Sequence, residues 1–241
     1  MFPVKELLAL ALMRMASAGW SPARLHHVDI IGQAHLFRGS APVSNGTFVF
    51  DELRTTMQAA ASSEGHQPLP DKFDLIVVSM LDNIKGSEKA ELAVEITFLA
   101  TPLPSGGQGS LVHWPIVGDL ISPSTYLTKK LCLSHAKDYD SHGDHMVTKT
   151  TALRAMLENA STTPTAVYFH CDAGMDRTGE LYGDYSMTYR NQTYKEVYDF
   201  DNAIEGPSGR AIHTVNKQAL EWMCLYLQQK KTTDPQCNMC Q

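Results

Sequence analysis

Basic residues are in short supply. The chain carries 20 Lys and Arg against 26 Asp and Glu, a net charge of −6. That balance argues against a broad nucleic-acid-binding face, although a local positive pocket is a separate matter. No apolar run approaches the ~20 residues that a membrane-spanning helix needs. Repeats, low-complexity tracts and linker-like stretches are absent as well, which excludes solenoids and strings of small modules. Cysteine is sparse: Cys132, Cys171, Cys224, Cys237 and Cys240. An odd, dispersed set does not read as a disulfide framework. Cys237-x-x-Cys240 lacks a second pair to complete a zinc site, so it reads as part of a frayed tail.

What is present suits one globular domain. The 241 residues are 43% hydrophobic and 19% charged, enough chain to bury a sizeable core. Leu7 to Met13 is apolar, follows Lys5 and precedes Ala16-Ser17-Ala18, an arrangement like a secretory leader. The run is short, however, and Glu6 and Arg14 flank it, so an amphipathic helix over residues 4–18 is the expectation. Asn45, Asn159 and Asn191 open N-x-[ST] sequons. A cytoplasmic chain is expected, with secretion as the alternative.

Periodicity and punctuation divide the chain. Residues 1–34 read as an N-terminal helical segment, 35–232 as the main domain and 233–241 as a tail. His35 to Pro42 suggests a strand ending in a turn at Gly39. Helices are expected over Phe48–Ala61, Ser87–Leu99, Met146–Asn159, Thr178–Arg190, Thr193–Ala203 and Asn216–Lys230. Strands are expected over Phe73–Leu81, Ser110–Val117 and Thr165–Phe169. Between Gly118 and Met146 lies a long polar stretch with a possible short helix over Tyr126–Leu133. It exceeds the usual connection length and reads as an insertion or flap. Strands alternating with helices, then a helical finish, predict an α/β domain with a central mixed or parallel sheet flanked by helices.

The most informative stretch is Val167-Tyr-Phe-His-Cys171-Asp-Ala-Gly-Met-Asp-Arg177-Thr-Gly. A buried strand delivers Cys171 to its tip. A short loop containing Gly174 follows, and then a helix points its N-terminus at that loop. Backbone N–H groups in such a loop, with the positive helix end, make an anion site. The same field favours the nucleophilic thiolate form of a cysteine. Arg177 is placed to return and clamp two oxygens of a phosphate.

His-Cys-x5-Arg-Thr-Gly resembles the signature of the cysteine-dependent phosphatases, which include protein tyrosine, dual-specificity, myotubularin-like lipid and phytase-like members. His35-Leu-Phe-Arg-Gly-Ser-Ala-Pro42 is similar to the segment that opens many dual-specificity domains. The resemblance implies a protein tyrosine phosphatase-like fold. It also implies phosphomonoester hydrolysis through a cysteinyl-phosphate intermediate, with no metal or other cofactor. Carried over residue by residue, Cys171 is the nucleophile. Asp172, Ala173, Gly174, Met175, Asp176 and Arg177 hold the phosphate. Thr178 donates to the Cys171 sulfur, and His170 supports the loop and thiolate.

The general acid stays open among several aspartates. Asp144 and Asp140 stand first, Asp119 follows, and Asp176, beside the arginine, resembles the acid position of some lipid phosphatases. Trp114-Pro115 is not followed by Asp, so it does not supply the acid loop of classical tyrosine phosphatases. Asn216 or Gln218 positions the hydrolytic water, as a downstream glutamine does in tyrosine phosphatases, or else both belong to the helix surface. Expected substrates are phosphotyrosine-type proteins or phosphoinositides. Soluble inositol phosphates, as for phytase-like relatives, are the alternative, and a non-catalytic phosphate-binding module is the rival outside enzymes. The loop has two acids and no lysine, which argues against a dense polyanion unless Lys129, Lys130, Lys137 or Lys149 compensates.

Overall fold

A computed structural model describes residues 19–84, 86–141, 144–204, 210–231 and 233–240. The helix expected over 4–18 and the turn expected at 206–209 lie outside them. Seven strands are described: β1 (His26–Ile31), β2 (Ala34–Ser40), β3 (Val43–Ser44), β4 (Thr47–Phe48), β5 (Asp74–Ser79), β6 (Gly109–His113) and β7 (Thr165–Cys171). The helices are α1 (Phe50–Ser63), α2 (Ser87–Leu99), α3 (Lys129–Lys137), α4 (Met146–Asn159), α5 (Asp176–Tyr189), α6 (Tyr194–Ala203) and α7 (Thr214–Lys230).

Five strands form one sheet in the order β1-β2-β7-β5-β6. β1 pairs antiparallel with β2, and the remaining neighbours are parallel. The fold is therefore α/β with a mixed sheet, as the element order predicts. Every residue of β7 is buried, and its side chains alternate between two cores. Val167 and Phe169 join Leu36, Leu153, Leu181 and Trp222. Ala166 and Tyr168 join Phe37, Leu53, Met57 and Leu75 on the other face. Helices cover both faces, which is why the parallel strands read as continuous apolar runs.

This order places the site. β7 is the last strand in sequence, yet it enters between β2 and β5. Ser40 lies opposite Cys171, and Ser79 opposite His170. The loop after Cys171 thus emerges between two other strand ends, the crevice where open α/β sheets bind ligands.

Three expectations need correction. The sheet begins at His26 rather than after residue 34, because β1 pairs along β2. The cysteines do form disulfides: Cys132–Cys240 and Cys224–Cys237, leaving Cys171 as the free thiol. Removing one nucleophile from an odd set leaves an even one, and the larger loop spans a sequence separation of 108, which no local pattern signals. The tail is consequently pinned and not frayed: Cys237 and Cys240 are buried, and the Pro235 carbonyl accepts from the Tyr194 N–H.

The polar stretch after Gly118 is packed on α7. Trp222 Nε1 donates to the Ile121 carbonyl at 2.6 Å and Tyr139 Oη to the Ala219 carbonyl at 3.2 Å. Gly118 has φ +91°, and a Cβ there would lie 2.9 Å from the Val215 backbone.

Candidate active site

Cys171 ends β7, 2% exposed. The loop beyond it is held by its carbonyls. The Asp172 carbonyl accepts from the Ala41 N–H at 3.0 Å, that of Ala173 from Arg24 Nη1 at 2.8 Å, and that of Gly174 from Arg38 Nη2 at 3.2 Å. In a trans peptide the C=O and the following N–H point in opposite directions. Carbonyls drawn back to these three donors therefore turn the N–H groups of Ala173, Gly174 and Met175 the other way, as an anion cradle requires. Gly174 sits at φ +71°, and a Cβ there would come within 2.5 Å of the Gly39 backbone. Only glycine satisfies both the left-handed conformation and this approach.

The segment around Arg38 explains its own sequence. Arg38 is fully buried, ion-paired with Asp201 and stacked over the Tyr182 ring at 4.7 Å. The pair binds β2, the loop and α6 together, so removing either partner would strand a buried charge.

Arg177, in the first turn of α5, is aimed by Glu88. Its Nη1 and Nη2 donate to Glu88 Oε2 and Oε1 at 2.8 and 2.7 Å, and Nη1 also donates to the Met80 carbonyl at 2.8 Å. Glu88 Oε2 accepts from the Asp82 N–H at 2.7 Å. Burial alone would raise the Glu88 pKa, but the Arg177 and Asp82 hydrogen bonds and the Arg177 charge hold it below the usual carboxylate value. The sequence marks Glu88 only as an acid in the first turn of a helix. Its partner lies 89 residues away, so no local signal names it.

His170 is placed as a support beneath the loop. It is fully buried, with Nε2 3.1 Å from Glu95 Oε1 and Nδ1 3.3 Å from the Cys171 carbonyl oxygen, so it does not meet a ligand directly. Thr178 is also buried. Its Oγ1 accepts from the Cys171 N–H at 2.8 Å and donates to the Gly39 carbonyl at 3.4 Å. That bonding differs from the expected donation to sulfur, because the helix start packs the hydroxyl against the strand backbone. Asp172 and Ala173 are half-buried and Met175 is buried. Asp176 faces Arg210, which donates through both Nη atoms, and it accepts the His213 N–H at 2.7 Å. Against its burial, these bonds and charges lower the Asp176 pKa.

The candidate acids separate. Asp140 accepts from the Thr148 N–H at 3.0 Å and the Thr148 hydroxyl at 2.6 Å, so it caps α4. Asp144 uses Oδ2 alone to accept the Val117 and Gly118 N–H groups, each at 2.7 Å. Asp119 Oδ1 accepts the Ile121 N–H at 2.9 Å. Asp144 and Asp119 both act on Glu180, in the second turn of α5. Burial pushes the Glu180 carboxyl up to about 8; Asp144 and Asp119 add to this, while Asn216 and Lys149 oppose it. Asn216 is buried, its Nδ2 donating to Glu180 Oε2 at 2.7 Å, whereas Gln218 is half-buried on α7. Lys149 Nζ donates to the Pro115 carbonyl at 3.0 Å, and Lys129, Lys130 and Lys137 are exposed.

Among the described residues, one group has metal-type donors close together. His27, Glu64 and His66 offer ligand atoms within 4.8 Å of one another; none comes from the Cys171 loop. No helix among the described residues is long and apolar enough to cross a membrane.

Residues 98–183 match the model of the tyrosine phosphatase family. That stretch includes both Cys171 and Arg177, in keeping with the resemblance of the loop, and a phosphatase is the class of protein this supports. No curated protein matches the chain. Among solved structures, the chain is similar to the core catalytic domain of the PP-IP phosphatase SIW14 from S. cerevisiae: 19% identity, covering 84% of this chain and 86% of that one, TM-score 0.41. Human DUSP28 shows 14% identity over 88% of this chain and 99% of its own, TM-score 0.42. A mouse putative dual specificity phosphatase complexed with zinc tungstate shows 15% identity over 82% and 87%, TM-score 0.41. At these scores the structural likenesses add nothing to the fold read from the strand order.

Proposed function

We propose that this chain hydrolyses phosphomonoesters through a cysteinyl-phosphate intermediate, on phosphotyrosine-type protein or phosphoinositide substrates. The observation that carries the reading is the loop itself: Cys171 at a strand tip, loop carbonyls drawn outward, and Arg177 held in a fork by Glu88. Phosphoryl transfer is chiefly a matter of positioning and charge stabilisation, which this arrangement supplies.

In the first step the Cys171 thiolate attacks phosphorus and the bond to the leaving oxygen breaks. The N–H groups of the loop and the Arg177 guanidinium hold the three equatorial oxygens. The leaving oxygen takes a proton from an aspartic acid, and water then cleaves the S–P bond. Asp144 is our assignment for that acid. Its Oδ1 is outside the bonds that anchor Oδ2, and its field reaches α5 at Glu180. Asp140 is spent on capping α4 and Asp176 on Arg210.

The test is turnover of an aryl phosphate, then of a panel of phosphotyrosine peptides, phosphoinositides and inositol phosphates. Cys171→Ser should abolish metal-independent, vanadate-sensitive hydrolysis; survival of that activity would overturn the mechanism. Asp144→Asn should slow turnover by about 10²–10⁴-fold, with Asp140→Asn much milder. Preference for soluble inositol phosphates across the panel would overturn the substrate assignment while leaving the chemistry intact.

A further inference from the structure

Four of the five cysteines are joined in two disulfides, and the one left free is Cys171. Disulfides persist where the surroundings are oxidising, as in the secretory pathway, and are rare in the reducing cytosol. The asparagines that open sequons offer an independent observation. All three are exposed, and each lies at a turn or helix end. Asn45 occupies the β3–β4 hairpin turn at φ +50°, followed by Gly46 at +72°, the two-residue turn that twisted hairpins favour. Asn159 is the last residue of α4, and Asn191, at φ +55°, lies between α5 and α6. None of their side-chain amides is hydrogen-bonded among the described residues. Asn202 and Asn216, which open no sequon, spend their amides inside the fold, on the Ile212 N–H and on Glu180.

We propose that Asn45, Asn159 and Asn191 carry N-linked glycans, added in the oxidising secretory compartment where Cys132–Cys240 and Cys224–Cys237 form. In the glycosylation step the asparagine amide nitrogen bonds to C1 of an oligosaccharide carried on a lipid diphosphate. The C1–O bond to the diphosphate breaks, and the amide releases one proton. Each disulfide forms as two thiols give up two protons and two electrons to the disulfide of an oxidoreductase, which is left as a dithiol. N-linked glycans are bulky and hydrophilic and belong on surface loops, the setting all three asparagines share.

Asn159 and Asn191 both lie away from the Cys171 loop. Asn159 precedes β7 at the end of the sheet opposite Cys171: the neighbouring Ser161 carbonyl accepts from the Gln33 N–H in the β1–β2 turn. Asn191 lies beyond the far end of α5, whose 14 residues span about 20 Å from the Arg177 end at 1.5 Å per residue. The inference goes beyond the phosphatase reading and does not depend on it.

The experiment uses the protein isolated from its own cells, with free thiols blocked and no reductant added. Peptide N-glycosidase digestion in heavy-oxygen water converts each occupied asparagine to labelled aspartate, read by peptide mass spectrometry. We expect label at residues 45, 159 and 191, linked peptides Cys132–Cys240 and Cys224–Cys237, and Cys171 alone carrying the thiol block. Unlabelled asparagines recovered at their unmodified mass overturn the proposal at those positions. Blocked thiols at 132, 224, 237 and 240 overturn the compartment. Neither readout involves activity, so failure here is distinguishable from failure of the phosphatase reading.

Discussion

Glu88→Gln should slow catalysis without unfolding the protein. Glu88 is about one-fifth exposed and grips both terminal nitrogens of Arg177, while the Met80 carbonyl takes a further bond from Nη1. Glutamine keeps the shape but loses the charge, and its amide oxygen accepts from only one side of the fork. Hydrogen bonds to charged groups are worth roughly 1.5–3 kcal/mol. If that orientation energy is realised in the transition state, kcat/KM falls about 10- to 150-fold. The Met80 carbonyl remains, so a partial effect is expected and not the loss predicted for Arg177→Ala. Glu88 has no direct role toward substrate; it acts through Arg177. The assay is therefore a double-mutant cycle on an aryl phosphate, with melting temperature as the fold control. In the Arg177→Ala background, Glu88→Gln should cost little more. A Glu88→Gln enzyme within twofold of the parent, or an equal loss in both backgrounds, would refute the positioning role.

Three further outcomes follow from the geometry. Gly174→Ala should destabilise the protein by more than the ~1–2 kcal/mol of left-handed strain, because its Cβ would also meet the Gly39 backbone at 2.5 Å; chemical denaturation and loss of phosphate-analogue binding read this. Burial raises the Glu180 carboxyl to about 8 from its ordinary 4.5, so its stabilisation is complete below the lower figure and is lost as pH rises through the upper one. Stability should decline across that window by up to about 1.4 kcal/mol per pH unit from this group, and Glu180→Gln should flatten the decline in melts run at a series of pH values. Cys240→Ser opens the Cys132–Cys240 loop and should cost about 2–4 kcal/mol, seen as a lower melting temperature with hydrolysis at 25 °C largely kept.

Much of the architecture was readable locally. The expected α4 boundaries, Met146 and Asn159, and those of α2, Ser87 and Leu99, recur in the structure, although Ser87 is the first helical residue and not the cap, and neither helix has a side-chain bond from its N-cap residue. β7 is an apolar run, and the glycine-containing loop and helix start after it are adjacent in sequence. Where reading failed, the cause was distance along the chain. The disulfide partners of α3 and α7 come from the last residues. Asp140, a leading candidate acid, proves to be bonded to the Thr148 N–H and hydroxyl in the first turn of α4. Asn216, read as helix surface or water-positioning, is buried against Glu180.

By itself, then, the sequence determined the elements and marked the loop, since Cys171, Gly174, Arg177 and Thr178 lie within one short segment. Tertiary structure decided what holds that loop in place. Arg24 and Arg38 draw back its carbonyls, and Glu88 aims its arginine, across separations of 149, 136 and 89 residues. Those contacts exist only because β7 enters the sheet between β2 and β5, bringing both strand ends to the same crevice.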